Sequence, residues 1–164
     1  MPRIPVEAYA PTSEALVYDE TTPSCLRWKV SGKPAGSQDQ DGYFLVRVGA
    51  RPGKLFKAHR VIWYLHHGTL PDLVDHKDGN PANNRLSNLR IATESQNRHN
   101  ASKHSDNTSG AKGVYWDKRT KKWMVKVSLA SKSIWGGRFT NFNEAVLVAK
   151  QLREDLHKEF SRHD

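Results

Sequence analysis

Between the apolar pair Leu73-Val74 and the returning Leu89-Arg90-Ile91, the chain carries a polar stretch from Asp75 to Asn88 crowded with Gly, Asn, Asp and Pro. Short apolar pieces on either side of so many turn formers predict a strand, a long loop and a returning strand. Thr93 is followed three residues later by Gln96, a capping-box pattern that starts a helix at Glu94 and carries it to about Ser102. Asn97 then lies in its first turns, facing back towards the strand pair. This local order brings Asp75, His76, Asn88 and Asn97 towards one point.

A histidine beside a carboxylate, with amides from a loop and a helix, suits phosphodiester hydrolysis assisted by one divalent cation. An imidazole with a pKa near ~6.5 can take a proton from water at neutral pH. Oxygen ligands from Asp and Asn suit Mg²⁺ or Mn²⁺ rather than zinc, and a hard cation stabilises the departing 3′ oxygen. Alone, His76 would read as a hydrogen-bonded structural histidine and the asparagines as a polar loop. Their joint occurrence with Asp75, the capped helix and Asn97 favours a nuclease site.

The segment resembles the HNH endonucleases of the ββα-metal fold, particularly the phage and intron-encoded homing type. The resemblance is carried by His59-Arg60, Asp75-His76, Asp78-Gly79-Asn80, Asn83-Asn84-Arg85, Asn88-Leu89 and Asn97. It implies that His76 is the general base, that Asp75 and Asn97 hold one Mg²⁺ or Mn²⁺ ion, and that Asn88 orients His76 through a hydrogen bond across the loop. Asn97 stands where other members have a histidine. His99 is no substitute, because two residues along a helix turn it about 200° away. His59, Arg60 and Arg85 are candidate DNA contacts, with His59 either touching DNA or packing structurally.

Upstream, three prolines in the first dozen residues predict an extended arm over 1–13. Residues 14–57 read as short antiparallel strands, including a hairpin through Tyr43–Val48 and Leu55–Ala58. His59, Ile62, Trp63 and His66 then recur at helical spacing, with Gly68 as a C-cap, so a helix is expected at about 58–67. His66 and His67 fall at its end and need no special role. The nuclease core is placed at 58–102.

Residues 103–112 read as a linker, followed by a small unit at 113–160. Val114–Trp116, Trp123–Leu129 and Ser133–Trp135 predict three strands, and Asn141 or Asn143 caps a long amphipathic helix. This part resembles the AP2 DNA-binding domain through Gly113-Val114, Lys122-Trp123, Val125-Lys126-Val127, Gly137, Phe139 and Glu144-Ala145. The resemblance implies a three-stranded sheet that enters the major groove. Lys118, Arg119, Lys121, Lys122 and Lys126 are candidate phosphate contacts, and Trp116, Trp135 and Arg138 further DNA-facing residues. At least one of Trp123 and Trp135 is expected against the helix.

Charge agrees with a polyanionic partner. The 164 residues carry 26 Lys+Arg and 17 Asp+Glu, a net charge of +9. Residues 103–139 hold nine basic residues against two acidic ones, so the excess is concentrated there. An anionic membrane is the competing surface, but no apolar run approaches the ~18 residues of a spanning helix and no signal peptide is legible. A soluble, cytoplasmic protein is expected. Cys25 is a single cysteine, which allows no internal disulfide, and with no CxxC pair no structural zinc is expected.

The sequence therefore predicts an α+β chain of two units. One is an HNH module with a strand-rich lead-in, and the other is an AP2-like domain of three antiparallel strands on one helix. The expected activity is metal-dependent hydrolysis of double-stranded DNA, by a monomer or a homodimer. A non-catalytic DNA-binding regulator with a relic HNH fold is the alternative, and an RNA-binding or virion protein a further one.

Overall fold

Pro11 sits in the first turn of a helix, where its missing N–H breaks no helical bond. In the computed structural model, which describes residues 4–100, 107–129 and 132–157, a 3-10 turn at Val6–Tyr9 leads into this helix, α1 (Ala10–Ala15). The extended arm expected over 1–13 is thus corrected for residues 6–13. The physical reason is burial: Tyr9 and Thr12 are fully buried, and the Tyr9 ring lies 4.8 Å from Phe56 and 5.8 Å from Tyr64. Positions 1–3, the expected helix end at 101–102, the expected linker at 103–106, the expected turn at 130–131, the expected end of the second unit at 158–160 and the side chain of His99 lie outside the described residues.

Two units divide the chain, Met1–Ala92 and Thr93–Asp164. In the first, β1 (Leu16–Tyr18) pairs antiparallel with β2 (Leu26–Trp28). A second sheet runs β3 (Ser37–Gln38), β4 (Phe44–Val48), β5 (Lys54–Lys57), with Val46 and Val48 turned into the core. β5 leads directly into α2 (Ala58–His67), which ends on Gly68 in the left-handed region at φ 67°. Ala58, Val61 and Ile62 form its buried stripe, on the helical spacing read from the sequence. Burying a side chain such as Ile62, Leu16 or Leu26 contributes about 1.5–3 kcal/mol each. β6 (Val74–His76) and β7 (Leu89–Ile91) form a separate antiparallel pair. The Tyr18 hydroxyl accepts the Leu86 backbone N–H at 2.9 Å, tying β1 to the loop that leads into β7.

In the second unit, α3 (Glu94–Asn100) begins with the expected capping box. Thr93 N–H donates to Gln96 Oε1 at 2.8 Å, and Gln96 N–H to Thr93 Oγ1 at 3.2 Å. The described end of the expected linker is a bonded turn, in which the Asn107 amide and the Ser109 hydroxyl both donate to the Ala111 carbonyl. A three-stranded antiparallel sheet follows, of β8 (Val114–Asp117), β9 (Lys122–Leu129) and β10 (Lys132–Phe139), with β9 central. α4 (Phe142–His157) covers one face. Asn141 caps it by accepting the N–H groups of Asn143 and Glu144. Small residues at Ala145 and Ala149 bring the helix close to Val114 and Val125 in a fully buried core. Among the described residues, no helix is long and apolar enough to cross a membrane.

Candidate active site and nucleic-acid face

Antiparallel register sets Asp75 of β6 opposite Arg90 of β7. Both side chains are more than nine-tenths buried, and the guanidinium grips one carboxylate oxygen: Arg90 Nε donates to Asp75 Oδ2 at 3.0 Å, and a second nitrogen lies 2.9 Å away. A buried carboxylate requires such a partner, because desolvation of an isolated charge is prohibitive. The sequence reading did not assign Arg90. Its place in β7 opposite Asp75 was the only available signal.

His76, the last residue of β6, is buried. Its Nε2 lies 3.0 Å from Asn84 Oδ1, and Asn84 is itself fully buried. An amide oxygen accepts, so the proton sits on Nε2 and the lone pair of the neutral ring on Nδ1. The His59 ring meets His76 edge to face at 4.9 Å, and Tyr43 lies 6.1 Å from it. Burial pushes His76 below the ordinary histidine range, against the opposing pull of Asn84, Asp78 and Asp75. Burial, followed by the neighbouring His76, pushes His59 well below it. Both rings are therefore held neutral at neutral pH, the form a general base requires.

The loop between β6 and β7 is bonded to itself. Asp78 accepts from the Asn80 backbone at 2.9 Å, the Asn83 amide at 2.7 Å and the Asn88 amide at 2.9 Å. These bonds outweigh burial and hold its carboxyl below the usual range. The side chain of Asn88 also donates to the Asn83 carbonyl and accepts the Asp78 N–H. The expectation that Asn88 orients His76 is corrected: Asn88 clamps the turn, and the amide on His76 belongs to Asn84. The Asn83-Asn84-Arg85 run had marked the position without revealing which amide points inward.

Two of the candidate DNA contacts have partners within the first unit. Arg60 donates to the Tyr9 hydroxyl and to the Pro71 and Asp72 carbonyls, stapling α2 to its surroundings. His59 is buried beside His76 and Tyr43. Arg85 is exposed, 3.8 Å from Glu20. His66 and His67 stand at the end of α2, their Nδ1 atoms on the Ile62 and Trp63 carbonyls. Asn97 lies on α3 in the second unit and is exposed.

In the second unit, alternation along the strands separates a packing face from an open one. Trp123, Val125 and Val127 face α4, and register puts Trp116 with Trp123, at 4.8 Å between rings, with Phe142 beyond. Trp116 stays 46% exposed beside that cluster. Tyr115, Lys122, Met124, Lys126, Ser128, Trp135 and Arg138 share the other face by register. There Arg138 stands 5.1 Å and Lys126 6.0 Å from the Trp135 ring centroid. Lys118, Arg119 and Lys121 are exposed in the β8–β9 turn, which Asp117 anchors through the Arg119 N–H and the Thr120 hydroxyl.

Among the described residues, no group of three or more His, Cys, Asp and Glu side chains could hold a metal. Of the donors that the resemblance implies, the Asp75 carboxylate is of the hard oxygen type that suits a cation keeping most of its shell as water and substrate phosphate oxygens. Arg90 takes one oxygen of that carboxylate.

The HNH endonuclease family matches residues 56–99, which include β6, β7 and α2. Protein 3.8 of Escherichia phage T7 is 34% identical over 108 residues, covering 65% of this chain and 88% of that protein. No solved structure matches significantly. The chain belongs to the family of phage T7 Protein 3.8 and carries an HNH endonuclease domain at residues 56–99.

Proposed function

We propose that this protein is a divalent-metal-dependent DNA endonuclease in which His76 is the general base. The observation that carries the reading is the seat of His76: a buried, neutral imidazole beside Asp75, held at Nε2 by Asn84, within the HNH segment. His76 Nδ1 accepts the proton of the attacking water, the oxygen bonds to phosphorus, and the bond to the 3′ oxygen breaks. The products are a 5′-phosphate and a 3′-hydroxyl, whose proton comes from solvent. Asp75 and Asn97 would hold one Mg²⁺ or Mn²⁺ ion, which when bound stabilises charge on the phosphate and the departing oxygen. The open face of the second unit, with Lys122, Lys126, Trp135 and Arg138, grips duplex DNA in the manner of an AP2 sheet. Its four basic and aromatic side chains and the exposed Lys118, Arg119 and Lys121 support this assignment.

The test is cleavage of supercoiled plasmid and phage DNA with Mg²⁺, Mn²⁺ or EDTA, by wild type and His76→Ala, alongside a mobility-shift assay. Metal-dependent nicking or linearisation that disappears in the variant while binding persists is the expected result. Cleavage retained by His76→Ala would overturn the mechanism, and tight binding without cleavage in any metal would favour a regulator.

A further inference from the structure

Lys57 closes β5 and immediately precedes α2. Its register partner in β4 is Leu45, and Tyr43, two residues ahead of Leu45, falls on the same face of the sheet by alternation. The half-buried Lys57 side chain lies over Tyr43, with Nζ 3.7 Å from the ring centroid. The same Tyr43 ring stands 5.6 Å from His59 and 6.1 Å from His76, and the two histidine rings are 4.9 Å apart. An ammonium is thus fixed one ring away from the imidazole read as the base.

Packing alone does not call for a charge at this point. An aliphatic stem would cover the Tyr43 ring equally well, whereas a cation here acts on the neighbouring histidines. After burial and His76, the Lys57 charge helps to push His59 well below the ordinary histidine range. Other basic groups of this part of the unit are engaged by protein oxygens: Arg90 by Asp75, Arg60 by the Pro71 and Asp72 carbonyls, and Lys77 by the Ser87 carbonyl. Lys57 rests instead on a π face, which steadies the ammonium and leaves N–H donors directed away from the ring. A side chain already restricted in this way loses less rotamer freedom when an anion arrives.

A phosphate attacked by a water on His76 must lie close to that ring, in the neighbourhood where the Lys57 ammonium is held. Negative charge on its non-bridging oxygens has to be stabilised as the new oxygen–phosphorus bond forms, and a preorganised cation does this without reorganising. We propose that Lys57, seated on Tyr43, contacts a non-bridging oxygen of the scissile phosphate of DNA and stabilises the charge there. The catalytic part of this assignment rests on the nuclease reading above, whereas phosphate binding by Lys57 does not.

The test has two arms, both on the full chain. In the first, single-turnover cleavage of supercoiled plasmid at saturating protein is compared in wild type, Lys57→Gln and Lys57→Arg, with Mg²⁺ or Mn²⁺. Lys57→Gln should lower the rate by about 10²-fold, Lys57→Arg should recover most of the loss because it keeps a cation, and thermal melts shared with wild type separate this loss from unfolding. In the second, the Tyr43 ring signals are followed by ¹H–¹³C NMR during titration with inorganic phosphate at constant ionic strength. Saturable shifts that disappear in Lys57→Gln are expected. A wild-type cleavage rate in Lys57→Gln overturns the catalytic contact and leaves the role of His76 untouched. No saturable shift, or one that persists in Lys57→Gln, overturns the phosphate site. Wild type that cuts no DNA in either metal, with the titration intact, removes the nuclease reading and its catalytic contact and leaves Lys57 as a phosphate-binding residue.

Discussion

The Asn84 amide oxygen stands 3.0 Å from His76 Nε2, and both residues are buried. Asn84→Ala should free the ring to change tautomer and rotate. We expect cleavage to fall about 10–100-fold, the range seen when a residue that orients a functional imidazole is removed. His76→Ala should lose about 10²–10⁴-fold. The distinguishing readout is the ¹⁵N signature of the His76 tautomer, which should change in Asn84→Ala and persist in Asn88→Ala.

The Asp75–Arg90 pair predicts asymmetric mutational costs. Arg90→Ala would take the guanidinium from a buried carboxylate, at about 3–5 kcal/mol. Replacing both residues together by apolar ones of similar volume should recover most of that loss. Urea denaturation of the single and double variants measures it, and a double variant as unstable as Arg90→Ala would contradict the pairing.

Acid stability should depend on Asp19. Hydrogen bonds from Thr21, followed by Arg27, pull its carboxyl down to about 2. A carboxyl lowered in the folded state contributes stability that is fully present above its unfolded pKa, near ~3.9. That contribution fades as pH falls from about 4 to about 2. Asp19→Asn should flatten this part of a stability-versus-pH curve and leave the neutral range with a constant offset.

Gly136, beside the bulge in β10, has no room for a methyl group. A Cβ there would lie 2.5 Å from Val125 Cγ1 and 2.6 Å from Leu152 Cδ1. Gly136→Ala should therefore destabilise the second unit by about 1–3 kcal/mol through overpacking. Thermal melts should show the loss, and pairing it with Leu152→Ala should recover part of it.

On the open sheet face, Arg138→Gln and Lys126→Gln should each lower the salt slope of DNA binding by about one. Val127→Ala, on the buried α4 side of β9, should leave the salt slope unchanged. Fluorescence anisotropy across a salt series separates these outcomes.

Local signals in the sequence were legible where one segment carried its own instructions. The period of His59, Ile62, Trp63 and His66 and the Gly68 cap specify α2, and Thr93 with Gln96 specifies the start of α3. Alternation in β9 separates the two faces of its sheet. What stayed hidden depends on partners far along the chain. Prolines near the start read as breakers, yet Tyr9 finds Phe56 and Arg60 and the segment becomes helical. The bonds of Arg60 to the Pro71 and Asp72 carbonyls stayed hidden because those acceptors have no sequence mark. Among several asparagines in one loop, only three-dimensional placement separates Asn84 on His76 from Asn88 on the turn.

The alternating pattern of β9 also bears on how such a protein can change over generations. Val125 and Val127 hold the fold from one side, whereas Lys122, Met124, Lys126 and Ser128 project from the other. Substitutions on the outward set leave the buried set intact, and surface changes of that kind usually shift stability by no more than about 0.5 kcal/mol. The sheet can therefore explore new contact chemistries on its outward face while its folding requirement stays satisfied.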